Sequence, residues 1–298
     1  MPEADFFIVD SFTRTPFAGN PAGVVLPDAP LTEATMLAIA GELHLESAFA
    51  TPSSAPEADY QVAYYTGTSR IPLCGHDTVA LVAVLARQGR LQAPGTVRLS
   101  TDVGILPVSI AADGMVTINM ALPQYGPVLD SGEVAQVLGL PLSEIAETGL
   151  PVQVVSTGTP FVIVPVVHRA ALSALAPDMV ALITYGDGLE DAVAGFYVWS
   201  SETENADASV HARCFCPAVG LPEDPVTGTG SGAAGAYLAS YDKLAYDTEN
   251  ESVFRTEQGY AMGRPGNARV KIRAEGGEVS GVQVSGPATV IGQGTLRF

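Results

Sequence analysis

The sequence predicts an α+β fold built from two similar halves. Three observations carry that prediction. Strand-like runs are short and broken by turn residues. Each half holds one early helix and one later helix. Each later helix follows a polar, glycine-rich segment. These segments are Leu73-Cys74-Gly75-His76-Asp77-Thr78, ahead of the apolar run Val79 to Ala86, and Glu223-Asp224-Pro225-Val226-Thr227-Gly228-Thr229-Gly230, ahead of Ala233 to Leu238. Short strands with few helices favour antiparallel sheets. A helix start leaves backbone N–H groups unused by the helix and carries the positive end of its dipole, which suits a carboxylate or enolate. Two such starts point to one anionic ligand held between related halves.

Taken in order, Phe6 to Asp10 and Gly23 to Leu26 read as strands around the turn Phe17-Ala18-Gly19-Asn20-Pro21. Thr32 is the expected N-cap of a helix whose apolar side carries Met36, Leu37, Ile39, Ala40 and Leu43. Glu46 follows, just before the strand Ser47-Ala48-Phe49, and Tyr60 to Tyr65 alternates as a strand. Gly89 is the expected residue past the end of the first glycine-led helix. Val97 to Ser100, Ile105 to Ile110 and Val116 to Met120 read as strands. Ala121 to Pro127, with two prolines and a glycine, reads as a linker. Beyond it, strands are expected at Val152 to Val155, Phe161 to Val166, Phe196 to Trp199 and Val210 to Phe215, with one helix near Ala170 to Ile183. Val270 to Arg273, Val279 to Val284 and Thr289 to Phe298 close the chain as strands.

Composition excludes several functions. The 298 residues are 47% hydrophobic and 15% charged, enough for a large core and unlike a disordered chain. A formal charge of −18 argues against nucleic-acid or anionic-membrane partners, which need clustered Lys and Arg. The Met1-Pro2-Glu3-Ala4-Asp5 terminus lacks the basic region of a secretory leader, and no apolar run approaches a membrane span. The three cysteines are too few and too unevenly spaced for a disulfide framework, so a cytoplasmic setting is expected. Cys214 and Cys216 are expected on opposite faces of a strand, forming no metal site.

Asp10-Ser11-Phe12-Thr13, Phe17-Ala18-Gly19-Asn20-Pro21-Ala22, Leu45-Glu46-Ser47-Ala48-Phe49, Leu73-Cys74-Gly75-His76 and Arg213-Cys214-Phe215 through Glu223-Asp224-Pro225-Val226-Thr227-Gly228 occur in that order. Together they resemble the phenazine-biosynthesis PhzF-like family of isomerases, whose fold is that of diaminopimelate epimerase and proline racemase. The resemblance implies two pseudo-symmetric domains, each a curled, mostly antiparallel sheet around a central helix, with the active site in the cleft between them. It places the domains at 1–120 plus 283–298 and at 121–282. It also implies no metal, nucleotide or organic cofactor, a small anionic substrate and a homodimer.

Glu46 is the leading catalytic candidate, because a carboxylate beside an apolar strand is costly unless solvated, paired or functional. The resemblance makes it the acid/base; the plainer alternative is a solvated residue after a helix. His76 can relay a proton or bind a substrate carbonyl as a neutral imidazole, or simply bond the backbone at a helix start. Asp224, fixed ahead of Pro225, is an ordinary turn aspartate unless the resemblance holds, in which case it handles substrate or proton. Gly75, Gly228 and Thr229 are expected to bind the substrate anion, with Asn20 and Gly19 forming either a wall of the site or only a turn.

Four positions depart from the family pattern or are ambiguous. Asp77 either caps its helix or holds His76 in one tautomer. Arg70 and Gly67 stand where acidic and proline residues are common in the family. Cys74 reads as a bystander, because two-thiol racemisation needs a second cysteine where this chain has Thr227. A Cys74–His76 hydrolase is disfavoured because residues two apart on a helix seldom face each other. The expected function is a cofactor-independent isomerase moving a proton on a small carboxylic acid. The alternatives are an amino-acid epimerase or racemase and a non-catalytic small-molecule-binding protein.

Overall fold

The computed structural model describes residues 3–190 and 192–298. The chain divides into two units. One holds the chain up to Asn119 together with Ser285–Phe298, and the other holds Met120–Val284.

In the first unit the chain forms β1 (Glu3–Ser11), β2 (Asn20–Pro27), α1 (Glu33–Leu43), β3 (Ser47–Pro52), β4 (Tyr60–Tyr65), β5 (Arg70–Ile71), α2 (Gly75–Arg87), β6 (Gly95–Thr101), β7 (Gly104–Ile110) and β8 (Val116–Asn119). The hydroxyl of Thr32 caps α1 by accepting from the Thr35 amide. Val79, Ala80, Leu81, Val82, Val84 and Leu85 of α2 are all buried, so apolar side chains leave the helix in nearly every direction. Such a helix cannot lie on a surface. It contacts β1, β2, β3, β7 and β8 instead, with the sheet curled about it. Each of the buried Val and Leu side chains contributes roughly 1.5–3 kcal/mol by leaving water. Gly89, at φ 68°, ends the helix turn in the left-handed region as expected.

The second unit contains β9 (Gln124–Leu129), α3 (Ser131–Leu138), α4 (Leu142–Ala146), β10 (Val152–Ser156), β11 (Pro160–Pro165), α5 (Arg169–Ser173), α6 (Met179–Asp187), β12 (Gly195–Ser200), β13 (Val210–Cys216), β14 (Leu221–Asp224), α7 (Gly228–Ser240), β15 (Glu251–Gln258), β16 (Gly266–Glu275) and β17 (Glu278–Gly286). The final strand, β18 (Ala288–Arg297), belongs to the first unit and pairs antiparallel with its β1. α7 packs on β10, β11 and β16. Its sequence is glycine-rich for a steric reason: a Cβ at Gly235 would sit 2.9 Å from Val270 and 3.0 Å from Ile272. The sheet therefore closes more tightly on α7 than an alanine would permit.

The two units repeat one series of strand pairings. In the first, β1–β2 is antiparallel, β2–β3 parallel across α1, β3–β4 antiparallel, β4–β6 parallel across α2 and β6–β7 antiparallel. In the second, β10–β11 is antiparallel, β11–β12 parallel, β12–β13 antiparallel, β13–β15 parallel across α7 and β15–β16 antiparallel. The architecture is α+β, as the sequence predicts.

Several expectations need correction. The proposed linker Ala121 to Pro127 runs into β9, a largely exposed strand that pairs with β10. The helix expected near Ala170 to Ile183 is two helices, α5 and α6, separated by a segment containing Pro177, which cannot donate the backbone bond a continuous helix needs. α3, α4 and β15 were not anticipated. Cys214 and Cys216 share one face of β13, with sulfurs 3.5 Å apart, because side chains two positions apart on a strand point the same way. All three cysteines are thiols outside any disulfide. Among the described residues no helix is long and apolar enough to cross a membrane.

Candidate active site

In the first unit the site grows from the β2–β3 pairing and the start of α2. α1 ends at His44, whose left-handed backbone (φ 52°) turns the chain toward β3. The Glu46 carbonyl then accepts the Gly23 amide at 2.8 Å, one residue before the parallel ladder Gly23–Ser47 begins. Glu46 is thus fixed by a strand pairing and not by the frayed end of a helix. Its Oε2 lies 3.4 Å from His76 Nε2 and 3.5 Å from Cys74 Sγ. Cys74 Sγ is in turn 3.3 Å from His76 Nδ1. Cys74 and His76 are buried and Glu46 is half-buried.

The closeness of Cys74 and His76 overturns the helical-spacing argument made for them. Cys74 is the N-cap of α2 and has extended backbone angles (φ −128°, ψ 119°), so its side chain does not follow the helix. Cys74 Sγ therefore lies within the cluster, in contact with both Glu46 and His76. Asp77, fully buried, places Oδ1 3.3 Å from His76 Nε2.

Three bonds hold this helix start in place. Ser11 donates its hydroxyl to the His76 carbonyl at 2.7 Å, Thr78 Oγ1 donates to the Cys74 carbonyl at 2.7 Å, and the Tyr64 hydroxyl meets Thr78 Oγ1 at 2.7 Å. Asn20 is buried and pairs in register with Ser11, which places it one strand from the His76 anchor. Gly19 has a structural reason of its own: φ is +64°, and a Cβ there would lie 2.2 Å from the Ser11 carbonyl oxygen. Arg70 points elsewhere. Its guanidinium holds Asp102 through two bonds of 2.8 Å and 2.5 Å on the exposed surface.

In the second unit the corresponding set surrounds the start of α7. Thr227, the N-cap, donates its hydroxyl to Asp224 Oδ2 at 2.6 Å. Gln258, at the end of β15, donates to the Asp224 carbonyl at 2.6 Å and to Thr227 Oγ1 at 3.0 Å, and accepts the Thr227 amide at 3.2 Å. Arg213 grips the adjacent Glu223 with a two-pronged ion pair of 2.9 Å and 2.8 Å, and donates to the Leu175 carbonyl at 2.7 Å. Gly228 is buried and Thr229 is half-buried.

The first bonds internal to the two helices are Thr78 N–H to Cys74 O and Ser231 N–H to Thr227 O. The amides of residues 75–77 and 228–230 are therefore ones that neither helix uses itself. This is an anion-friendly arrangement at each start.

The anticipated residues accordingly fall into two sets. Glu46, Gly75, His76 and Asn20 belong to the first unit, while Asp224, Gly228 and Thr229 belong to the second. Sequence reasoning missed Gln258 and Ser11. The buried polar run Thr256-Glu257-Gln258 was the available signal for the former. A cavity of about 600 Å³ in the second unit, lined by Trp199, Lys243, Leu244 and Phe254 among others, includes none of these residues.

Comparison with known proteins places this geometry in a family. A profile of the phenazine biosynthesis-like protein family matches residues 9–294. An uncharacterized isomerase of Clostridium acetobutylicum is 33% identical over 294 residues, covering 96% of each chain. A trans-2,3-dihydro-3-hydroxyanthranilate isomerase of Pseudomonas aeruginosa is 27% identical over 293 residues, covering 97% of this chain and 98% of that one. The crystal structure of a Bacillus anthracis phenazine biosynthesis protein of the PhzF family superposes with a TM-score of 0.89 at 29% identity, covering 100% of both chains. A hydroxyproline epimerase from Agrobacterium vitis, at a TM-score of 0.65 and 14% identity over 99% of this chain and 94% of that one, shares the fold. The chain belongs to the phenazine biosynthesis-like family and is an isomerase.

Proposed function

We propose that the protein moves a proton between two carbons of a small carboxylic acid, without a cofactor, using Glu46 as the acid/base. The observation that carries this reading is the contact of Glu46 Oε2 with His76 Nε2 at 3.4 Å. A half-buried carboxylate beside an imidazole can take a proton, hold it and return it. Glu46 removes the acidic C–H proton, the electron pair delocalises into the substrate as an enolate-like anion, and the same proton returns to another carbon. The amides at residues 75–77, at the start of α2, stabilise the developing negative charge. His76 assists, and within the second unit Thr227 and Gln258 orient Asp224 as a further carboxylate for substrate or proton. A cyclic unsaturated acid is the substrate class suggested by the Pseudomonas relative. We take the protein to be a cytoplasmic homodimer with no nucleic-acid or membrane partner.

Thiol-based epimerisation is less well supported. It needs a second ionisable group at Thr227, whose hydroxyl donates to Asp224 instead. The test is proton exchange followed by NMR in deuterated water, with dihydro-hydroxyanthranilate, proline and diaminopimelate. Glu46→Gln should lower exchange by about 100-fold or more. Exchange that survives Glu46→Gln but disappears in Cys74→Ala would replace this mechanism with thiol chemistry.

A further inference from the structure

We propose that the cavity at the C-terminal end of α7 binds an α-amino acid with an apolar side chain. The cavity holds about 600 Å³, within the range of small-molecule sites, and all the residues that line it belong to the second unit. It is distinct from the set around Asp224. α7 runs from Gly228 to Ser240, so about 18 Å of helix separates its Thr227 cap from this end.

The floor of the cavity is apolar. Trp199, Val210, Leu238 and Phe254 line it, and all four are buried. The Tyr237 ring packs edge-on against Trp199, with centroids 6.3 Å apart, so the indole is backed by a second aromatic. Against this floor stand two charges. Lys243 is the one cation among the lining residues and Glu147 the one carboxylate, and both are exposed. Their segments are tied together. The Tyr237 hydroxyl donates to the Pro151 carbonyl at 2.6 Å and the Tyr241 hydroxyl to Gln153 Oε1 at 2.8 Å, which fixes the end of α7 beside the segment that follows Glu147. Lys243 is presented by a tight helix end. Asp242 takes left-handed angles (φ 55°), and the Lys243 amide donates to the Leu238 carbonyl at 2.9 Å. An α-amino acid uses all three features at once. Its carboxylate meets the Lys243 ammonium, its ammonium meets the Glu147 carboxylate, and its side chain leaves water for the floor. A plain apolar acid would leave Glu147 unmatched, and a plain amine would leave Lys243 unmatched.

Trp199 is the only tryptophan of the chain, so its emission reports on the floor of the cavity. The test is a fluorescence titration of the full-length protein with L-phenylalanine, alongside 3-phenylpropionate and phenethylamine, which lack the ammonium and the carboxylate respectively. The expected result is a saturable change in emission with L-phenylalanine, at concentrations at least about 10-fold below those either analogue needs. Lys243→Met and Glu147→Gln should each weaken L-phenylalanine binding by a similar factor. Both replace exposed side chains, so the fold should survive them. Glu46→Gln should bind as the wild type does, because the cavity does not depend on the proposed catalytic role of Glu46. No change in emission with L-phenylalanine, or an affinity unaltered in Lys243→Met, would overturn the site. Equal binding of 3-phenylpropionate would overturn the amino-acid assignment. Binding lost in Glu46→Gln would assign the ligand to the candidate active site and overturn the cavity.

Discussion

The side-chain amide of Gln258 bonds Thr227 twice, donating to its hydroxyl at 3.0 Å and accepting from its backbone amide at 3.2 Å. One residue at the end of β15 thereby fixes the turn that presents Asp224, whose carbonyl it also holds at 2.6 Å. Gln258 touches nothing but this turn in these bonds, so its role is positioning. Gln258→Ala leaves a buried amide and a carbonyl without partners, at about 1–3 kcal/mol for each group left unsatisfied. The expected outcome is a stability loss of about 2–4 kcal/mol in urea unfolding. Gln258→Glu should lose more, because it replaces the donor to the Asp224 carbonyl with a buried carboxylate oxygen. Equal losses in the two variants would count against this account.

Gly235 provides a test in which packing and helix propensity disagree. In an isolated helix Gly→Ala gains about 1 kcal/mol. Here the new methyl would press on Val270, Ile272 and the Phe254 ring at 2.9, 3.0 and 3.2 Å. Overpacking of this kind costs about 1–3 kcal/mol. Gly235→Ala should therefore lower the thermal midpoint, and a raised midpoint would show that the sheet around α7 yields more easily than its contacts suggest.

Much of the site was legible because glycine and polar residues punctuate helix starts in a way that packing seldom overrides. Gly75 and Gly228 begin α2 and α7, and Thr32 caps α1 as read. β15 was hidden because polar residues, Ser252 and Thr256, occupy positions that an amphipathic strand would fill with apolar ones. Its burial comes from the sheet and from α7, which no local pattern reveals. The Cys74–His76 contact was hidden for a different reason. Helical spacing was applied to an N-cap residue, whose backbone is extended. The closeness of Cys214 and Cys216 needed only the strand period of two.

Burial pushes the Tyr64 and Tyr197 phenols well above the usual tyrosine range, more than their bonds to Thr78 and Ser231 lower them. An unfolded tyrosine titrates near 10.0. Below that pH both states keep the proton, and the stability from these groups is fully present. Above it the unfolded chain releases protons that the folded chain retains, so stability falls as pH rises. Each phenol contributes a slope of up to about 1.4 kcal/mol per pH unit. Unfolding midpoints should hold level up to about pH 10 and decline above it, and Tyr64→Phe should flatten that decline. An unchanged alkaline slope in Tyr64→Phe would show that the Tyr64 phenol ionises within the fold.

Arg213 and Glu223 form an ion pair that is largely withdrawn from water, with side chains 9% and 14% exposed. The guanidinium also lies 4.9 Å from the Phe215 ring centroid and donates to the Leu172 and Leu175 carbonyls. Removing one partner leaves a charge with too little compensation, which typically costs about 3–5 kcal/mol. The remaining carbonyl partners of Arg213 should hold the loss in Glu223→Gln to about 2–4 kcal/mol. Replacing both groups, in Arg213→Met with Glu223→Leu, removes the charges together and should recover part of that loss. A double-mutant cycle in urea measures the coupling. Additive losses would mean that the pair is not coupled, and that Arg213 holds the strand before Asp224 through its carbonyl bonds alone.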